Sequence, residues 1–326
     1  MPAILRLAIV MLLGAAVVPA ARAAEPPELL RRDPAAPSAA AQARGDAAEE
    51  RREFAVQPGS TLDLSNISGE VRITAGRDGA IVVTAVRRGT DRSADEPRLE
   101  TTQVGNRVEV RARGSRSGRT RGSIDLTVAV PADAAVSVRS VSGDVDLTGV
   151  TGDVRLESVS GSIVLAQAGN VALAKSVSGD VTVRDSTTTG TLMLSSVSGV
   201  VLASGVRAGA LEASSVSGAI RLAAVAAERV GAKTVSGVVE FGGPLAGGGR
   251  YELTSHSGDV VVRLPAGAGF DLAADTFSGR LTSDFPVTLR SSRGGPASRT
   301  IRGVAGDGAA QLVVRSFSGS VTIGRQ

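Results

Sequence analysis

The chain has 326 residues, 42% of them hydrophobic, with 40 glycines, 13 prolines, no cysteine and no tryptophan. There is enough aliphatic material for a large core, but aromatics at 2% argue against the aromatic-lined pocket of a globular enzyme, and zero cysteines exclude disulfides and a lipid-bearing cysteine. Basic residues number 36 against 32 acidic ones, for a net charge of +4, and two of the arginines, Arg6 and Arg22, lie in a leader-like segment; the charge balance does not point to a polyanion partner.

Met1 to Ala23 reads as a secretory signal peptide, with Arg6 near the start, an apolar run from Leu7 to Val18 and the small-x-small sequence Ala21-Arg22-Ala23. The run is shorter than the ~20 apolar residues of a membrane span, so the mature chain is expected to have no transmembrane segment and to be exported to the periplasm, the cell surface or the medium. Residues 24–52 are rich in Ala, Pro, Arg and Glu and lack alternation; they read as a disordered linker.

From Glu53 apolar and polar residues alternate, through Phe54 and Val56, Leu62 and Leu64, Val71 and Ile73, and Ile81 and Val83. Strict alternation marks strands with one buried face. A further strand pair is expected over Val104–Ala112 and Ile124–Val130, and residues 53–135 are expected to form an N-terminal β region, an irregular cap on the rest of the chain.

Beyond this region the sequence repeats. Ser140-Val141-Ser142-Gly143 recurs with little change around Gly161, Gly179, Gly199, Gly218 and Gly237, at steps of 18 to 20 residues. A copy nearer the N-terminus ends at Gly69, and altered copies nearer the C-terminus end at Gly258, Gly279 and Gly319, with His256, Phe277 and Phe317 in the slot of the first valine. A period this short is one coil of a solenoid. The expected fold is all-β, a parallel β-solenoid resembling a β-helix, with coils of roughly 18–21 residues over 136–326. The ten glycines are expected to mark turns in a backbone conformation that a Cβ disfavours, the serines to form a hydroxyl ladder and bond amides at the bend, and the valines to form an apolar ladder. Three positions separate the last apolar residue of a strand from this valine, which suggests a change of inward parity at the first serine. Phenylalanine in the valine slot then suggests a widening or closing core at the C-terminal end. Between Pro286 and Gly308 the period skips a copy, so a projecting loop with Arg290, Arg293, Arg299 and Arg302 is expected.

Three groups of residues invite a chemical reading. His256 is the only histidine, and with no cysteine and no histidine pair the chain offers no zinc or thiol site; packing at the bend is its expected role. Glu70, Asp144, Asp180 and Asp259 come directly after the motif glycine, but Ser162, Val200, Ala219 and Val238 intervene, so the acids do not stack into a calcium site and stabilise turns instead. Arg107, Arg111, Arg113, Arg116, Arg119 and Arg121 form a basic cluster suited to an anionic envelope polymer; without interleaved aromatics it is no specific nucleic-acid site. No catalytic residue, metal site or cofactor is expected.

The repeated SVSGDV-type motif, the opening FAVQPGSTLDLSNISGEV and the step VAVPADAAVSVRSVSGDV resemble the bacterial putative-adhesin domains of unknown function, from Glu53 to Arg325. The resemblance implies an exported or envelope-associated β-solenoid with no catalytic residues to carry over. Three functions are consistent with these readings. The first is a non-enzymatic envelope scaffold or adhesion-like surface, which gains by multivalency, with an envelope protein or surface glycan as partner and end-to-end self-association as one way of extending it. The second is a periplasmic envelope-stress module binding a protein or an anionic glycan through its arginines. The third is a carbohydrate-active β-helix enzyme, the weakest because fold does not carry function.

Overall fold

The computed structural model describes residues 49–88, 98–113, 122–295 and 298–326, and among these every regular element is a strand. Residues 1–23, expected to be a signal peptide, and all but the end of the expected linker lie outside the described residues. Strand β1 (Glu49–Ala55) begins inside that linker: Glu49 to Arg52, all charged, pair antiparallel with Val83 to Val86, and half-buried Glu50 accepts from Arg87 at 2.8 Å.

The N-terminal region continues with β2 (Thr61–Ser68), β3 (Val71–Ala75), β4 (Ala80–Arg88), β5 (Arg98–Val104), β6 (Arg107–Arg113) and β7 (Ser123–Val130). Each repeat then supplies one strand before its motif and one after it. These are β8 (Ala135–Ser142) and β9 (Val145–Thr148), β10 (Val154–Ser158) and β11 (Ile163–Ala166), β12 (Val171–Lys175) and β13 (Val181–Arg184), and β14 (Thr187–Ser195) and β15 (Val201–Ser204). The same pattern continues in β16 (Arg207–Ser215) and β17 (Ile220–Ala223), β18 (Ala226–Thr234) and β19 (Val239–Gly242), and β20 (Arg250–Ser255) and β21 (Val260–Leu264). The chain closes with β22 (Phe270–Thr276), β23 (Leu281–Ser283), β24 (Thr288–Gly295), β25 (Ser298–Ala305), β26 (Ala310–Ser316) and β27 (Val321–Arg325).

Two sheets result, of 13 and 14 strands, and each coil places one strand in either sheet. Repeats pair in parallel with their neighbours, as in β13 with β11 and β15, or β14 with β12 and β16. The fold is therefore the expected parallel β-solenoid. Its interior is aliphatic: in one coil Val150, Val154, Leu156, Ile163 and Leu165 are all fully buried. Each such side chain contributes about 1.5–3 kcal/mol by leaving water. The buried aromatics lie toward the C-terminal end, where Tyr251 is 5.5 Å from Phe241 and Phe270 is 5.3 Å from Phe285 between ring centroids; Phe54 packs half-buried against the core at the other end. The Tyr251 hydroxyl donates to the Ala227 carbonyl and accepts from the Ala246 amide, each at 2.7 Å; burial raises its phenol above the ordinary 10.0, and the Ala246 bond opposes that.

Both ends depart from the sequence expectation in the same manner. In the N-terminal region β2 and β3 form a regular rung between β8–β9 and β6–β7, although β6 and β7 come later in the chain. Antiparallel β4 and β1 then extend one sheet past β7, and antiparallel β5 extends the other past β6. At the C-terminal end β26 and β27 insert between β20–β21 and β22–β23. The expected arginine loop of 286–308 is instead the hairpin β24–β25, which continues the β22 sheet antiparallel. What reads as irregular period is a regular rung laid down out of order, next to strands that cover the sheet edge. Eleven rungs stacked at ~4.8 Å give a length on the order of 50 Å.

Candidate functional site

The motif builds the corner where the chain passes from one sheet to the other, and every one of its residues has a defined task. The first Ser or Thr points inward and is buried at every copy from Ser140 to Ser316. Ser196 shows the reason: its hydroxyl accepts the amide of Gly199 at 2.9 Å and donates to the carbonyl of Gly179, one rung back, at 2.9 Å. Ser176, Ser215 and Thr276 repeat this relay. The hydroxyl ladder is present, but the serine that bonds is the first of the motif; the second, as at Ser160 and Ser178, is exposed.

The glycines serve a different purpose from the one expected. Of the ten, only Gly69 and Gly143 have positive φ, at 115° and 120°. At the others the rungs come so close that a Cβ would run into the carbonyl of the motif glycine on the adjacent rung, as Gly199 would into Gly179, Gly319 into Gly258 and Gly279 into Gly319. Close approach, not left-handed backbone, excludes other residues there.

The valine slot faces out. Because the serine keeps the inward parity of its strand, the next residue points to solvent, from 38% exposed at Val177 to 49% at Val141, with Phe277 at 47% and Phe317 at 48%. The expected change of parity does not occur, and Phe277 and Phe317 do not belong to the core. Backbone bonds between rungs persist through the corner, including Ser178 N–H to Val159 and Ser217 N–H to Val197 at 2.9 Å each, so these side chains are held one above another. The result is an exposed apolar ridge running in the order Ile67, Val141, Val159, Val177, Val197, Val216, Val235, His256, Phe317, Phe277.

At the C-terminal end the ridge is a ring stack. His256 and Phe317 have centroids 4.9 Å apart with planes at 7°, and Phe317 and Phe277 are 4.8 Å apart at 2°. The rung spacing imposes these distances, and each pair adds about 0.5–1.5 kcal/mol. His256 is thus at the bend as expected, but it is exposed and stacked. Beside the stack lies an open groove of about 690 Å³ whose other wall includes Lys233, Thr254, Arg315 and Asp275.

The remaining candidates take up ordinary structural positions. Asp144, Asp180 and Asp259 each accept the backbone amide of the adjoining rung, from Ser162, Val200 and Ser320 at 2.7–2.8 Å, which is the turn role expected of them. Glu70 pairs with Arg72. Arg107 contacts Asp63 at 2.6 Å, Arg111 donates to Glu109 at 2.8 Å and Arg113 to Glu100 at 2.8 Å, so acids alternate with these arginines on the surface. Arg116, Arg119 and Arg121 lie outside the described residues. Among the described residues, no group of three or more metal-ligating side chains occurs, and no helix is long and apolar enough to cross a membrane.

Stacked two-sheet rungs with a repeated corner define a β-solenoid whose distinctive surface is that corner. The chain belongs to the family described as Toastrack DUF4097, which matches residues 60–324. Among solved structures it is similar to a putative adhesin from Parabacteroides distasonis, at 11% identity over 86% of this chain and 98% of that one with a TM-score of 0.46. One from Parabacteroides merdae matches at 10% identity over 86% and 98%, TM-score 0.45, and one from Bacteroides fragilis at 14% over 84% and 96%, TM-score 0.44. No curated protein matches the sequence.

Proposed function

We propose that the chain is an exported, non-enzymatic protein of the cell envelope that acts as a scaffold or adhesion-like surface, with an envelope protein or surface glycan as partner. The observation that carries this reading is the ridge: ten successive corners form one line on the surface, most of it a single valine repeated at the rung spacing and facing solvent. A natural monomer exposes few contiguous apolar stripes without a use for them. Equivalent weak contacts in a line gain from multivalency without any deep pocket. Support also comes from Asp144, Asp180 and Asp259 after the motif glycine, which are engaged with backbone amides of the adjoining rung. The leader-like Met1–Ala23 supports export.

The test compares cells producing the wild-type chain with cells producing a variant in which Val159, Val177, Val197 and Val216 are all serine. These valines are exposed, so each change should alter stability by no more than about 0.5 kcal/mol. Attachment to a surface or to neighbouring cells should be lost in the variant and kept in the wild type, with both proteins recovered from the envelope or medium. Recovery of the protein from the cytoplasm alone, or equal attachment by the two strains, overturns the proposal.

A further inference from the structure

We propose that the groove beside the ring stack binds a single-chain anionic amphiphile, its alkyl tail along the rings and its charged head at Lys233. This stands apart from the adhesive reading, since it concerns one groove over four rungs and not the length of the ridge.

The tail is argued from what the rings leave open. Phe317 is sandwiched, with His256 stacked on one side and Phe277 on the other. A nucleobase or a pyranose ring binds aromatics through an open face, and this stack offers little of that. What remains for a ligand lying along the groove is a row of ring edges continued by the methyls of Val235, a surface suited to methylene groups. The groove runs across the rungs β18, β20, β26 and β22, a span on the order of 15 Å. Its volume of about 690 Å³ lies within the range of about 300–1,000 Å³ usual for small-molecule sites.

The head is argued from charge. At the tail end, Arg315 is engaged by Glu252 at 3.3 Å and Asp275 at 3.9 Å. At the other end the groove adjoins a second trough of about 510 Å³ on the outer face of the same sheet, and Lys233 and Thr254 line both. The protein's only lysines, Lys175 and Lys233, both line this trough, and among the described residues neither makes a salt bridge. Arg229 and Arg250 add positive charge there against Glu212 and Glu252. An anionic head at Lys233 therefore meets net positive charge, while its tail points to Phe277.

The experiment uses the full chain with dansylated undecanoic acid as fluorescent probe. Palmitate and hexadecyl phosphate should displace the probe, their relative strength showing which head group the site prefers. Phe317→Ser should weaken displacement at least about tenfold, as loss of a buried aromatic contact requires. Lys233→Gln should weaken it about threefold and remove most of its salt dependence. Both residues are on the surface; Phe317→Ser also removes two ring stacks and the stability they add, so an unchanged strand spectrum at the assay temperature checks that the fold is intact. The assignment is overturned if hexadecanol competes as well as palmitate, or if cellohexaose displaces the probe. It is also overturned if phosphatidylglycerol vesicles bind the chain without competition from palmitate, or if Val159→Ser at the far end of the ridge has the same effect as Phe317→Ser.

Discussion

Gly199, Ser196 and Val197 are neighbours in one motif and are held by three different forces, which makes them a test of the corner. A Cβ on Gly199 meets the Gly179 carbonyl, and the rungs cannot separate there without stretching the backbone bonds on both sides. Gly199→Ala is expected to destabilise by about 1–3 kcal/mol, the usual range for overpacking. Ser196→Ala removes both halves of the relay, leaving a buried amide and a buried carbonyl short of a partner, and is also expected to cost about 1–3 kcal/mol. Val197→Ser, on a side chain 39% exposed, should stay within about 0.5 kcal/mol. Chemical denaturation of the three variants measures this order; a valine change as damaging as the glycine change would mean that the ridge is buried. The sequence shows that all three positions recur, but recurrence does not state a cause. A glycine kept for φ and one kept for close approach have the same spacing, and an aliphatic ladder facing out has the same spacing as one facing in. Ser140 settles the facing, because its hydroxyl is needed inside to join Gly143 to the rest of the corner.

At the scale of elements, many strands are legible because alternation is a local property: β3, β4, β7, β8 and the short strands after each motif, such as β11 and β13, fall where apolar residues alternate. The first halves of β14 and β18 do not alternate and are strands through their pairing. The order of the strands at the two ends is not legible. Placing β6–β7 outside β2–β3, or β27 between β21 and β23, is a non-local pairing, and the copies of the motif look alike whichever neighbour they take. For the same reason the sequence places His256, Phe317 and Phe277 in one slot without showing that Phe317 lies between the other two. The insertion makes the C-terminus structural. Val321 and Ile323 are fully buried, β27 is hydrogen-bonded on both sides, and Arg325 packs over the Phe285 ring at 5.4 Å. A chain ending at Ser320 should lose hydrogen-exchange protection over β20 to β26 and keep it over β8 to β17, because each rung depends on its neighbours and not on the whole stack. Uniform loss along the chain would show instead that the stack folds as one cooperative unit.

For the whole molecule, the consequence of stacking is that interior rungs are interchangeable. From Gly143 to Gly237 the copies of the motif are 18 to 20 residues apart, and each interior rung presents to its neighbours the same three columns: buried hydroxyl, glycine and exposed valine. Deleting Asp180 to Gly199 removes β13, Thr187–Ser195 and one complete corner, and joins Gly179 to Val200. Strand β12 would then lie beside β16, and β11 beside β15, with Ile163 and Leu165 facing Val201 and Ala203 in the same inward columns that β13 now occupies. The shortened chain is expected to fold with an unchanged strand spectrum and to be shorter by about 4.8 Å, the spacing of one rung. It should lose only modest stability, since one nearest-neighbour interface disappears while the end caps stay intact. Solution scattering and thermal unfolding measure the two quantities. Because the ridge would keep nine of its ten corners, attachment should fall far less than in the variant with four serines, as it must if binding is the sum of equivalent weak contacts. A collapse of attachment on losing this single coil would place the function in one specific corner and not in the repeat.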